Sequence, residues 1–118
     1  MSADRDPDSV FDIVDSLRMV MSYTEGMSFG QFIADIRTLD AVTRRIEIIG
    51  EATKRLTEKL RADHPEIPWR KMSGTRDRLV HNYDKIDPEV IWEIAKRLGP
   101  ELLPKLEAIL KEIGDLHA

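Results

Sequence analysis

Apolar residues return at intervals of three and four along nearly the whole chain, and no stretch alternates with a period of two. A helix gathers residues i, i+3 and i+4 on one face, whereas a half-buried strand needs strict alternation. The chain is therefore expected to be all-α, an antiparallel bundle of four main helices plus one short helix. Val10, Ile13, Val14, Leu17 and Met21 mark the first helix, with Asp6 expected as its N-cap and Pro7 at its first helical position. Ser28 opens a short amphipathic piece through Phe29, Phe32, Ile33 and Ile36. From Leu39, the stripe Val42, Ile46, Ile49, Thr53, Leu56, Leu60 predicts one helix of about six turns, ended by His64-Pro65. Pro68 starts a helix expected to reach about Tyr83, with a bend at Ser73-Gly74. Asp87-Pro88 starts the last, which carries Ile91, Ile94, Ala95, Leu98, Leu102, Leu106, Ile109 and Ile113 and which Gly99-Pro100 is expected to kink or split.

A chain of 118 residues, 42% hydrophobic, suffices for one core, so residues 1–118 are read as a single domain with 1–6 as a flexible lead-in. There is no cysteine, which rules out disulfides, thiolate metal sites and a cysteine nucleophile and suits the cytoplasm. The opening MSADRDPDSV has no apolar region of the kind a signal peptide needs, and no apolar run is long enough for a membrane span; no membrane association is expected. The net charge of −4 argues against a general nucleic-acid coat protein. The charge is uneven, however. From Trp69 to Lys85, five bases face two acids, so this stretch is +3 while the remaining residues together carry −7.

That basic island contains RDRLVHNYDKID, where Arg76, His81 and Tyr83 fall within eight residues although the chain has only three histidines and two tyrosines. With eleven arginines, chance gives about 0.3 Arg-x4-His pairs in such a chain, and about 0.005 once a tyrosine two residues later is required. The triplet is therefore informative where the pair is not. Metal-free RNA cleavage needs a base for the 2′-OH, an acid for the leaving oxygen and a cation for the phosphate. A histidine can serve as base or acid, Arg is the best bidentate phosphate clamp, and Tyr83 can donate a hydrogen bond or stack on a base. Arg78 and Lys85 would help hold an RNA backbone. On a regular helix Arg76 and His81 diverge by about 140°, so one copy of the strip does not place both on one face. A bend at Gly74, a long Arg reach or a second copy across a two-fold axis would bring them together. The bland alternative is a helix end at which His81 and Tyr83 cap and pack while Arg76 pairs with Asp77, Asp84 or a carboxylate of the long helix.

Other candidates carry less. His64 and His117 have no ligand-spaced partner, so no metal is expected. Glu47 and Glu51 stand at i, i+4 and are read as support for an Arg of another helix rather than as an acid/base pair. Lys54 and Glu58 are spaced for a pair on the solvated face of the long helix. Trp69 and Trp92 fall on apolar stripes and are read as core.

The segments IEIIGEATKRL, HPEIPWRKMSGTRDRLVHNYDKID and VIWEIAKRLGPELLPKL, in that order, resemble the HepT-like toxins of the HEPN superfamily, and the likeness extends to the first forty residues. The resemblance implies an all-α two-fold homodimer whose Arg-x4-His-x-Tyr strips face each other in a cleft, acting as a metal-independent ribonuclease toxin with no cofactor. Carried over by position, Arg76 and His81 form the catalytic pair. The resemblance also implies a minimal nucleotidyltransferase antitoxin that transfers AMP onto the motif tyrosine, here Tyr83. AMP there would set a phosphate against Arg76 and fill the place of a substrate phosphate. Asp77 departs from the Asn frequent at that position in the superfamily, and its charge competes with RNA for Arg76. The expected function is thus a ribonuclease toxin; the alternative is a non-catalytic helical dimer that binds a nucleotidyltransferase partner or a nucleotide.

Overall fold

The computed structural model describes residues 5–81 and 87–115; the side chains of residues 76–81 and 115 lie outside that description. The described residues are helical throughout, with no strand among them. In order they form α1 (Asp6–Tyr23), α2 (Phe29–Ala34), α3 (Ile36–Lys54), α4 (Glu58–Asp63), α5 (Trp69–His81) and α6 (Pro88–Glu93), then a π-helical turn (Ile94–Leu98) that runs into α7 (Gly99–Asp115). Taking α6, the turn and α7 as one rod, the four long rods of the expected bundle are present.

Two apolar clusters hold the rods together. One joins Val10, Ile13, Val14 and Leu17 of α1 to Ile49 and Ala52 of α3, to Trp69 at the start of α5 and to Leu106 and Ile109 of α7. The other gathers Val20, Phe32, Val42, Ile46, Ile91 and Ala95. Trp92 is half-buried against it, edge-on to Phe29 at 5.9 Å and tilted on Phe32 at 5.1 Å between ring centroids. Both tryptophans are thus packing residues, as their positions on apolar stripes indicated. Threonines enter the core because their hydroxyls are satisfied within their own helix: Thr53 Oγ1 donates to the Ile49 carbonyl at 2.7 Å and Thr43 Oγ1 to that of Leu39 at 2.8 Å.

The expected six-turn helix is in fact two. Helix α3 closes at Lys54, and α4 restarts behind Thr57, whose side chain accepts from the Leu60 amide at 3.2 Å. The stripe misled because Leu56 and Leu60 stay buried in the same cluster across the break. The cause of the break lies 51 residues away. Asp6 is not the N-cap of α1; Arg5 holds that position without a side-chain cap. The buried Asp6 carboxylate instead accepts from the Thr57 amide at 3.1 Å and from its hydroxyl at 2.6 Å, removing that N–H from the helical ladder. Of the six residues expected as a flexible lead-in, Asp6 is therefore held at a junction of the fold. The break also separates Lys54 from Glu58, which lie on different helices, and within α4 the i, i+4 ion pair is Lys59–Asp63 at 2.9 Å.

Ser28 starts α2 as expected, in a reciprocal capping box with Gln31. Helix α3 starts at Ile36, ahead of the expected Leu39, because Asp35 caps it; Ile36 is 69% exposed and so lies off the apolar stripe. In the last rod, Gly99-Pro100 does not break the chain but widens one turn: the Gly99 amide donates to the Ile94 carbonyl five residues back. A Cβ on Gly99 would stand 2.8 Å from that carbonyl oxygen, so the wide turn admits only glycine without a shift. At the other end of the bundle, Lys96 Nζ donates to the Thr24 carbonyl just past α1 at 2.6 Å while lying 5.1 Å from the Trp92 ring centroid.

Asp6→Ala strands the Thr57 amide and hydroxyl at a part-buried site and is expected to cost about 2 kcal/mol of stability in chemical denaturation. Thr57→Ala in the same background should add much less than it does alone, because the two changes remove one interaction. Two hydrogen bonds from Thr38, first from its amide and then from its hydroxyl, hold the Asp35 carboxyl below its ordinary value of 3.8. A depressed folded-state value means a contribution that is present above the ordinary carboxylate range and is lost as pH falls through the lowered one. The stability difference between the wild type and Asp35→Ala should therefore be constant near neutrality and shrink only in strong acid, as read from thermal unfolding across pH.

Candidate functional site

Helix α5 carries the motif, and its start is anchored in the core. Trp69 is buried in the first cluster, and its indole Nε1–H donates to the His64 carbonyl at 2.9 Å, tying the helix to the connector before it. His64 itself is half-buried with Nδ1 3.5 Å from a Glu66 carboxylate oxygen, a local contact that occupies one side of the ring. Met72 packs against the same cluster, one turn further on. The helix continues unbroken through Ser73 and Gly74. The Ser73 and Thr75 hydroxyls donate back to the Arg70 and Lys71 carbonyls, at 3.1 and 2.9 Å, which keeps both side chains from interrupting the ladder.

The helix places Arg76, Asp77, Arg78 and His81 on its last turns. Arg76 and His81 are five residues apart on a continuous helix, about 7.5 Å along its axis and about 140° around it. One copy of α5 thus aims the two positions along different directions, as the sequence indicated. Tyr83 and Lys85 lie outside the described residues. Glu51 lies half-buried on α3, the helix that packs along α5. Its neighbour Glu47 pairs with Arg44 of the same helix at 3.3 Å. Among the described residues, no group of three or more His, Asp or Glu side chains is placed to hold a metal ion. None of the described helices is long and apolar enough to cross a membrane.

Between α3, α5 and the π-helical turn lies an apolar cavity of about 130 Å³, bordered by Ile46, Ile49, Met72, Thr75, Leu98 and Leu102. It is the size of an engineered cavity that admits a single benzene ring and offers almost no hydrogen-bonding groups. A nucleobase, whose edges must be paired when buried, does not suit it. Sequence reasoning missed this cavity because its lining comes from three separated segments.

The chain matches the profile of the family described as ribonuclease HepT-like over residues 13–111. Among curated relatives, a probable ribonuclease HepT from Thermococcus cleftensis is 38% identical over 88% of this chain and 94% of its own. A protein from Methanocaldococcus jannaschii described as a candidate RNase is 36% identical over 88% of this chain and 86% of its own, and one from Caldanaerobacter subterraneus is 34% identical over 85% and 89%. No solved structure matches. The family description and the relatives described as ribonucleases place this helical bundle in a class that acts on RNA. This chain is a member of the ribonuclease HepT-like family.

Trp69→Ala should destabilise the protein by about 3–5 kcal/mol, since it empties a buried aromatic site, whereas Trp69→Phe should cost about 1 kcal/mol for the lost indole hydrogen bond. Urea denaturation of the two variants separates packing from hydrogen bonding at the root of the motif helix.

Proposed function

We propose that the chain is the toxin of a toxin–antitoxin pair: a cytoplasmic, metal-independent endoribonuclease that works as a homodimer. The single observation that carries the reading is the Arg-x4-His-x-Tyr strip, borne at its Arg and His on the outer helix of a chain in the ribonuclease HepT-like family. The roughly 140° between Arg76 and His81 supports the dimer, because a two-fold axis alongside α5 would bring the Arg76 of one copy toward the His81 of the other. In that arrangement His81 takes the proton from the ribose 2′-OH. As the 2′-oxygen attacks the phosphorus and the P–O5′ bond breaks, a second histidine returns a proton to the leaving 5′-oxygen. Arg76 steadies the charge growing on the non-bridging oxygens. Arg78 and Lys85 hold the flanking backbone, and Glu51 supports the motif helix from α3.

The partner in this reading is a nucleotidyltransferase-type antitoxin that transfers AMP from ATP onto the Tyr83 phenol, releasing pyrophosphate. The added phosphate occupies the anion site that Arg76 offers and excludes the substrate by charge and bulk together. The test is cleavage of RNA by the purified protein in EDTA. His81→Ala and Arg76→Ala are expected to lower the rate by at least about 100-fold with melting temperatures unchanged. Tyr83→Phe is expected to remain active after co-expression with the nucleotidyltransferase, while the wild type gains the mass of AMP and loses activity. A wild type that does not cleave RNA, with stable partner binding and no modification, would instead favour a non-catalytic binding module.

A further inference from the structure

We infer that the groove between α4 and the first turn of α5 is a docking track for the backbone of a single RNA strand, set apart from the motif and feeding it. The inference rests on the ribonuclease reading and names where that enzyme gains its hold on substrate. Helix α4, the connector through Pro65 and Pro68, and the start of α5 frame a shallow groove of about 890 Å³. Arg61, Arg70 and Lys71 line it with Glu58 as the one carboxylate, so its lining carries +2 in a chain whose net charge is −4. Arg70 and Lys71 are exposed, and no acidic residue stands in the first turn of α5 to compete for them.

The groove is continuous with the motif by helical register. Positions 70, 74, 77 and 81 follow at intervals of four, three and four, the spacing of a single ridge along a helix. The ridge therefore runs from Arg70 to His81 over about 16 Å, the length of a few nucleotides in an extended strand. Between them lies Gly74, where an added Cβ would meet nothing within 4 Å. A phosphodiester backbone can thus pass close over the helix at that point. Position 77 on the same ridge is an Asp, which repels phosphate next to the reactive centre. Affinity lost at that point must be supplied elsewhere, and Arg61, Arg70 and Lys71 supply it at the far end of the ridge.

The experiment measures binding of a fluorescent single-stranded RNA by anisotropy at several salt concentrations, in a His81→Ala background with EDTA so that the RNA stays intact. Arg70→Gln/Lys71→Gln keeps a polar, though shorter, side chain at each position and removes two charges. It is expected to weaken binding about 10-fold at 0.1 M salt and to lower the slope of log affinity against log salt by between one and two. Lys105→Gln/Lys111→Gln removes the same charge from exposed positions on α7 and should change affinity less than two-fold. Thermal melts check that both variants fold; should the first not, Arg70→Gln and Lys71→Gln are read singly, each expected to reduce the slope by about one. Equal losses at both sites, or none at α5, would overturn the proposal, as would retained RNA affinity with lost binding to a co-expressed nucleotidyltransferase, which would assign the groove to an acidic protein partner. Cleavage by the otherwise unaltered protein is scored separately. An inactive protein that still needs Arg70 and Lys71 to bind RNA would sink the enzyme reading and leave the track standing.

Discussion

The face of α3 that bears Val42, Ile46, Ile49, Ala52 and Thr53 touches α1 and α5 together, and the position of the motif helix follows from that double contact. The face can serve two neighbours because it is broad and small at its edges. Ala52 and the buried Gly50 let helices approach closely, and the threonines satisfy their hydroxyls internally instead of reaching across. A bulkier residue there would move α1 and α5 at once, and with α5 the cations that the proposed chemistry needs.

A second constraint closes the same corner from the other side. Asp6 ties the start of α1 to Thr57, and so fixes where α3 stops and where the chain turns toward α5. Arg55, in the same turn, pairs with Asp12 on α1 at 3.1 Å. That pair is exposed and adds little on its own, but it lies beside the stronger contact and points the same way. The buried carboxylate with two donors is the contribution that sets the geometry.

The number and type of the long helices were readable in the sequence because burial imposes a 3.6-residue rhythm wherever one face meets a core. Boundaries were less so. Leu56 and Leu60 keep that rhythm across the gap between α3 and α4, and the residue that makes the gap, Asp6, lies far away in the chain. Asp6 was read as a cap because Asp before Pro usually is one, and a long-range hydrogen bond leaves no periodic trace. Ser28 and Asp87 were read correctly because their caps are local, reaching only three and two residues ahead. At the site, sequence marked the residue types and the helix that holds Arg76 and His81. It left open what completes them, since the proposed composite site depends on a second molecule and not on spacing within one. Arg61 was passed over because it lies outside the basic stretch that contains Arg70 and shares a groove with it only through the fold of the connector.

The wide turn at Ile94–Leu98 has a geometric role in the last rod. Ile91 before it and Ala95 within it face the cluster shared with α2 and α3; after it, Leu106 and Ile109 face the cluster that holds most of α1. An uninterrupted α-helix would keep all four on one line, since their spacings are multiples of the helical repeat. The extra residue wound into the turn acts as a phase shift of about 100° between the stretch that packs on the second cluster and the stretch that packs on the first. Chain length in this segment is consequently fixed to the residue. Losing one amino acid between Glu93 and Pro100 would leave every side chain chemically suitable and every helix intact, yet turn all of α7 to the wrong heading.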